Sequence, residues 1–170
     1  MDITKQNKNQ RIWRVNCRTK KVDLEVVPPT WEKLGGRGLI ARILLDEVPP
    51  TCEPLGPLNK LIFTIGLLVG HMLSSCDRIS IGGKSPLTGG VKEANAGGTT
   101  GLSLAMLGIK AIIIEDKPVD GEWSILYVNN KGITFEPADT LIGLGVYECG
   151  AMLVDKYGSK IAAAIIGPGG

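Results

Sequence analysis

Between an apolar run at Lys60–Ile65 and the next helical pattern at Thr99–Leu107 lies a long stretch, Gly66 to Gly98, that holds eight of the chain's 23 glycines. Structureless connections of this length are uncommon inside compact domains and are usually functional when ordered. Its spaced apolar residues predict order, with an interior strand at Arg78-Ile79-Ser80-Ile81. A fold for this chain must therefore carry a glycine-rich segment that folds back against regular elements on both sides.

Those elements are legible from periodicity. Ile12–Asn16 and Val22–Val27 alternate apolar and polar residues around the turn Cys17-Arg18-Thr19-Lys20, which predicts a hairpin. Pro28-Pro29-Thr30 stops it, and Thr30 stands where a helix N-cap belongs. Gly36-Arg37-Gly38 leads into a helix over Leu39–Leu45, with Arg42 and Asp46 placed as an i,i+4 pair and Pro49-Pro50 as its stop. Gly108 ends the Thr99–Leu107 helix. Ala111–Glu115 is a buried strand, and Asn129-Asn130-Lys131-Gly132 joins strands at Ser124–Val128 and Ile133–Glu136. Asp139 is placed to cap a turn, a helix spans Val146–Tyr157, and Ile161–Ile166 reads as a last strand. The sum is an α+β fold of mixed β-sheets with a few short helices, one domain over residues 1–170. A strand followed at once by Gly167-Pro168-Gly169-Gly170, with nothing to cover it, predicts that the domain is truncated.

Composition excludes several function classes. A formal charge of +2 is too small to point to nucleic acid. Most of the excess lies in the first 21 residues, where Arg11, Arg14 and Arg18 read as a solvated strand edge. No apolar run is long enough to span a bilayer, and no secretory leader is recognisable, which predicts a cytoplasmic protein. Cys17, Cys52, Cys76 and Cys149 contain no Cys-x-x-Cys pair, so they form neither a zinc ribbon nor a complete iron–sulfur ligand run and read as reduced, buried thiols. His71, alone, reads as a hydrogen-bonding turn residue.

The chemistry-bearing region runs from Cys76 to Gly101. Glycines expose backbone amides that can cradle anionic oxygens, Thr99-Thr100-Gly101 leads into a helix, and Arg78 and Lys84 add positive charge. The segment is neither Gly-x-Gly-x-x-Gly nor a phosphate loop, since Arg78 stands five residues before Gly83 where that loop needs glycine. On composition alone, ligand binding and a structural loop that needs positive φ angles stand level.

The order of motifs adds a family. Arg14-Val15-Asn16, Leu34-Gly35-Gly36-Arg37-Gly38-Leu39, Asp46-Glu47-Val48-Pro49-Pro50, Lys84-Ser85-Pro86-Leu87-Thr88-Gly89, Ala94-Asn95-Ala96-Gly97-Gly98 and Leu107–Glu115 together resemble the N-terminal domain of the aldehyde ferredoxin oxidoreductases. The resemblance runs from about residue 10 to the end of the chain. It implies a domain of two similar halves on which a bis-pterin cofactor holding tungsten or molybdenum lies (tungstopterin or molybdopterin). By that comparison Arg78 contacts the pterin or its phosphate, Asn95 offers its main-chain oxygen to a magnesium ion bridging the phosphates, and Ala96 and Gly97 supply adjacent backbone contacts. It implies no catalytic residue in this chain, a 4Fe-4S cluster only in the complete protein, and oxidation of aldehydes to acids with electrons passed to ferredoxin or another carrier. The remaining domains of the same enzyme are the implied partners, and a homodimer is compatible with it. The family's glycine pair before the arginine is Cys76-Asp77 here, and Cys76 is assigned no ligand role. The alternative is a non-catalytic split or truncated product that acts as a pterin-binding scaffold or assembly partner.

Overall fold

The structure is a computed structural model that describes residues 10–71 and 73–167. Six strands form one mixed sheet: β1 (Arg11–Asn16), β2 (Val22–Val26), β3 (Lys60–Ile65), β4 (Ile79–Lys84), β5 (Val91–Ala96) and β6 (Ile109–Glu115), in the order β2-β1-β6-β3-β4-β5. Only β1 and β6 run parallel; every other pair is antiparallel. β7 (Ser124–Asn129) and β8 (Gly132–Pro137) make a separate hairpin. Three helices complete the set: α1 (Gly36–Glu47), α2 (Thr100–Met106) and α3 (Val146–Tyr157). The expected α+β class is therefore observed.

Two apolar layers flank the sheet. On one face α1 seats Leu39, Ile40, Ile43 and Leu44 against Ile12, Ile62, Ala111 and Ile113. Each such side chain contributes about 1.5–3 kcal/mol when removed from water. On the other face α2 (Leu104, Ala105) and the β7–β8 hairpin (Leu126, Val128, Ile133, Phe135) cover Val15, Ile65, Ile79 and Ile112. β6 is sandwiched between these layers, which explains its continuous Ile-rich run.

The sequence expectation of irregular chain from Gly66 to Gly98 is corrected: β4 and β5 form a hairpin closed by Ser85–Gly90, whose ends are joined by the Ser85 amide donating to the Gly90 carbonyl at 2.7 Å. Gly82 and Gly83, which normally weaken a strand, are required here by close approach. A Cβ at Gly82 would stand 2.4 Å from the Lys92 carbonyl oxygen and 3.0 Å from Ile40 Cγ2; one at Gly83 would stand 2.5 Å from the Lys60 carbonyl oxygen.

Three further expectations change. Thr30 makes no side-chain cap; it lies inside a short 3-10 turn, Pro29–Trp31, and α1 starts after an extended Gly35 instead. Asp139 likewise falls within a 3-10 turn, Asp139–Leu141, with no side-chain capping bond. Ile161–Ile166 is not a strand, because among the described residues no neighbouring strand supplies a ladder for it. The expected Arg42–Asp46 pair is present at 2.8 Å, and Asp46 also accepts from the Trp31 indole at 2.9 Å. Those bonds, Trp31's first, hold the Asp46 carboxyl below the usual range.

Arg14 is not on a solvated edge, because β1 is an interior strand between β2 and β6. Its guanidinium, with only 18% of the side chain exposed, meets Glu25 on β2 (3.0 Å), Glu47 at the end of α1 (2.8 Å) and Glu115 on β6 (2.6 Å). Lys60 of β3 completes the cluster by pairing with Glu47 at 3.2 Å and with Glu115. Burial alone would lower the Arg14 pKa, but the three carboxylates reverse this and raise it. For Glu115 burial pushes upward, and the bonds from Lys60 and Arg14 prevail and hold it low.

The hairpin–turn–helix order of the first half recurs. β1–β2, the 3-10 turn and α1 after Gly35 correspond to β7–β8, the turn Asp139–Leu141 and α3 after Gly145. The register matches residue for residue, since Arg14 faces Asp23 as Tyr127 faces Thr134, each on the fourth residue of its strand. The joint at the helix end is conserved in place but not in chemistry. Where Arg14, Glu25 and Glu47 meet in the first half, Tyr127 stacks on Tyr157 with centroids 4.7 Å apart, and the Tyr157 hydroxyl donates to Glu136 at 2.7 Å. α3 covers less than α1: Cys149 is buried, while Val146, Met152 and Val154 remain open to solvent.

Two outcomes follow from the ion cluster. Arg14→Met leaves Glu25 without its cation and Glu47 and Glu115 to share Lys60, and is expected to cost about 3 kcal/mol, read from denaturant unfolding, with Glu115→Gln costing about 1–2 kcal/mol. Because the folded Glu115 pKa lies below its ordinary value of 4.5, its stabilisation is complete above that value and is lost as pH falls through the folded one. Melting temperature followed from about pH 7 to about pH 2 should fall in that acid window, and Glu115→Gln should flatten the fall.

Candidate functional site

Arg78, Asn95, Ala96 and Gly97, the residues singled out from sequence, come together at the open edge of the sheet. Arg78 immediately precedes β4, while Asn95 and Ala96 end β5 opposite Ser80 and Ile79. Arg78 Nε donates to Asn95 Oδ1, and Asn95 Nδ2 donates to Ser80 Oγ at 3.1 Å. The Asn95 side chain is thus spent on its neighbours, and its main-chain carbonyl is the group left for any ligand. Arg78 is exposed, with the outer nitrogens of its guanidinium directed past Gly97: a Cβ there would lie 3.9 Å from Arg78 Nη1.

The local backbone explains why glycine recurs. Gly98 has φ +102° with open space around it, a conformation that side chains resist. Gly101 allows α2 to start directly on the backbone of Asp77 and Arg78, since a Cβ would stand 2.9 Å from the Arg78 carbonyl. That contact fixes the position from which Arg78 reaches outward. The preceding loop is tied by the Gly70 amide donating to Asp77 Oδ1 at 3.0 Å, and Cys76 Sγ lies within hydrogen-bond reach of the Leu68 and Leu73 carbonyls. Cys76 is half-buried and bonded inward.

Lys84, the other cation of the segment, turns away. Its Nζ donates to the Pro50 and Cys52 carbonyls, both at 2.6 Å, and holds the loop after α1. The four cysteines are free thiols; Cys52 and Cys149 are buried as expected, but Cys17 and Cys76 are only half-buried. Burial, with Asp116 nearby, pushes the Cys17 thiol pKa up.

Sequence reasoning missed Glu93. It lies on β5 two residues before Asn95 and pairs with Arg37 of α1, whose Nη2 is 3.3 Å from Glu93 Oε2. Hydrogen bonding from Ser80, then Arg37, holds its carboxyl below the usual range despite desolvation. With β5 read as loop, the alternation that puts Glu93 and Asn95 on one face was not visible.

The donor set suits an anionic, phosphate-bearing group with a hard cation. Arginine nitrogens grip phosphate oxygens, and an edge strand leaves alternate carbonyls unpaired for a cation that takes oxygen ligands. Among the described residues no group of three or more His, Cys, Asp or Glu side chains is placed to hold a metal. Two shallow depressions, of about 250 and 220 Å³, are lined by Lys117–Trp123 and Arg18. No helix among the described residues is long and apolar enough to cross a membrane.

The family profile described as aldehyde ferredoxin oxidoreductase, N-terminal domain, matches residues 12–170. The tungsten-containing aldehyde ferredoxin oxidoreductase of Thermococcus kodakarensis is 38% identical over 94% of this chain, and that of Pyrococcus furiosus 37% over 94%; the match spans 27% of each relative. Among solved structures, the active-site complex BamBC of benzoyl coenzyme A reductase with 1,5-dienoyl-CoA superposes with a TM-score of 0.84 at 29% identity, covering 91% of this chain and 24% of that one. With the glycine-rich hairpin, its arginine and the flanking elements all in the matched region, the chain belongs to the aldehyde ferredoxin oxidoreductase family, to whose N-terminal domain it corresponds.

Proposed function

We propose that this chain is the cofactor-holding N-terminal part of a tungstopterin or molybdopterin oxidoreductase that oxidises aldehydes to carboxylic acids. The observation that carries this is the edge site at Arg78–Asn95, whose free guanidinium nitrogens and open glycine backbone suit a phosphate-bearing pterin. Arg78 holds the anionic end, while the main chain at Asn95, Ala96 and Gly97 offers oxygens and amides, Asn95's carbonyl to a magnesium ion. When bound, the metal–pterin group supplies the two-electron chemistry; this chain positions it and sets its electrostatics. A 4Fe-4S cluster and ferredoxin, both belonging to the complete protein's surroundings and not to these residues, would take up the electrons. The free thiols accord with a cytoplasmic setting, and the whole chain acts as a single domain.

The chain spans about a quarter of the length of the relatives it matches, and a second reading stands beside the first. On that reading it is a pterin-binding scaffold or assembly partner with no turnover of its own. Metal and pterin analysis separates the two. A complete protein carrying this segment should hold tungsten or molybdenum stoichiometrically, and Arg78→Ala should weaken retention about 10- to 100-fold, the worth of a charge-assisted bond. Retained pterin without aldehyde oxidation selects the scaffold, and absence of both pterin and metal refutes the cofactor assignment.

A further inference from the structure

We propose that Arg37 is a second cation directed at the anionic group held by Arg78, and that Glu93 is the residue that positions it; this rests on the cofactor reading above. In the β4–β5 ladder Ser80 faces Asn95 and Gly82 faces Glu93, so Glu93 and Asn95 lie on one face of the sheet, about 7 Å apart along the strand. It is the face on which α1 packs: a Cβ at Gly36 would stand 3.3 Å from Ser80 Oγ, and one at Gly82 would meet Ile40. The first turn of α1 is thereby brought over the end of β5.

One sheet face then links two exposed guanidiniums. Arg37 donates to Glu93, which stands diagonally across the ladder from Ser80; Ser80 accepts from Asn95, and Asn95 accepts from Arg78. Ser80 is buried, whereas Asn95 and both guanidiniums face water. Glu93 keeps 7% of its side-chain surface, whereas Arg37 keeps 79%. A carboxylate loses much of its hydration in such a place, and an exposed arginine repays little of that as a structural pin. α1 is already seated by Leu39, Ile40, Ile43 and Leu44 and has no need of a pin. The pair makes better sense as a bracket. Both Arg37 contacts go to a single oxygen, Glu93 Oε2, leaving donors unused on the outer side of the guanidinium. One buried carboxylate between two arginines leaves one positive charge in surplus, and a phosphate ester is the ligand class that matches it.

The test uses the complete cofactor-loaded protein, following pterin release by fluorescence after dilution into graded salt. Arg37→Ala is expected to speed release about tenfold at low salt with an unchanged melting temperature, and to reduce the salt dependence. Arg37→Lys should recover part of the loss. Glu93→Gln should resemble Arg37→Ala, and the double variant should be no worse than either single one. If Arg78→Ala speeds release while Arg37→Ala leaves it and its salt dependence unchanged, this inference fails and the cofactor reading stands. If neither variant changes release, the cofactor reading fails as well. Should Glu93→Gln melt early, the exposed Arg37 variants decide alone.

Discussion

Position 82 of strand β4 has no room for a Cβ between the Lys92 carbonyl of β5 and Ile40 of helix α1, and much of the candidate site depends on that close packing. Ile40 fills the space above Gly82, and Gly35 passes where a Cβ would stand 2.8 Å from the Ile65 carbonyl. The helix start is thereby set over Ser80. From there the positions of Arg37, Glu93 and Asn95 follow by strand alternation alone. Buried Lys110 supports the same entry, donating from Nζ to the Glu32 carbonyl at 3.1 Å just ahead of the helix. Burial lowers the pKa of that amine, with Glu32 acting against it.

The opposite end of α1 is held by charge. Glu47, its last residue, reaches Arg14 and Lys60, so the helix is fixed by glycine contacts at one end and by ion pairs at the other. Both restraints converge on the central strands β1, β6 and β3. The site sits at the far edge, on β4 and β5, where backbone groups are free and solvent is near. A rigid middle with an open rim is the arrangement expected of a platform that receives a ligand on backbone atoms.

Periodicity made most of the regular elements legible. Arg11–Asn16, Lys60–Ile65 and Ile109–Glu115 have apolar patterns that only strands satisfy, and Asn129–Gly132 carries its own turn chemistry. β4 and β5 were not legible as a pair, because Gly82 and Gly83 count against a strand locally while contacts from Lys92 and Lys60, distant or across the hairpin, demand them. Arg14 misled for a related reason: a charged residue near a terminus reads as surface until its partners, eleven to about a hundred residues away, are known. Of the site, Arg78 and Asn95 were accessible through motif order, whereas Glu93 required the register. Ile161–Ile166 shows the converse, since a strand pattern remains only a pattern until a neighbour pairs with it.

The joint at the end of α1 and its counterpart at the end of α3 bear on how such a unit tolerates change. Three sites on two strands and a helix meet in the same arrangement, once as arginine with two glutamates and once as two stacked tyrosines with a glutamate. The backbone therefore specifies a socket and not a particular bond. The two fastenings differ in what they keep from water: the first holds charge largely out of solvent, while the second buries stacked rings and leaves its Lys156–Glu136 pair more open to salt. A chain built from both does not loosen everywhere at once.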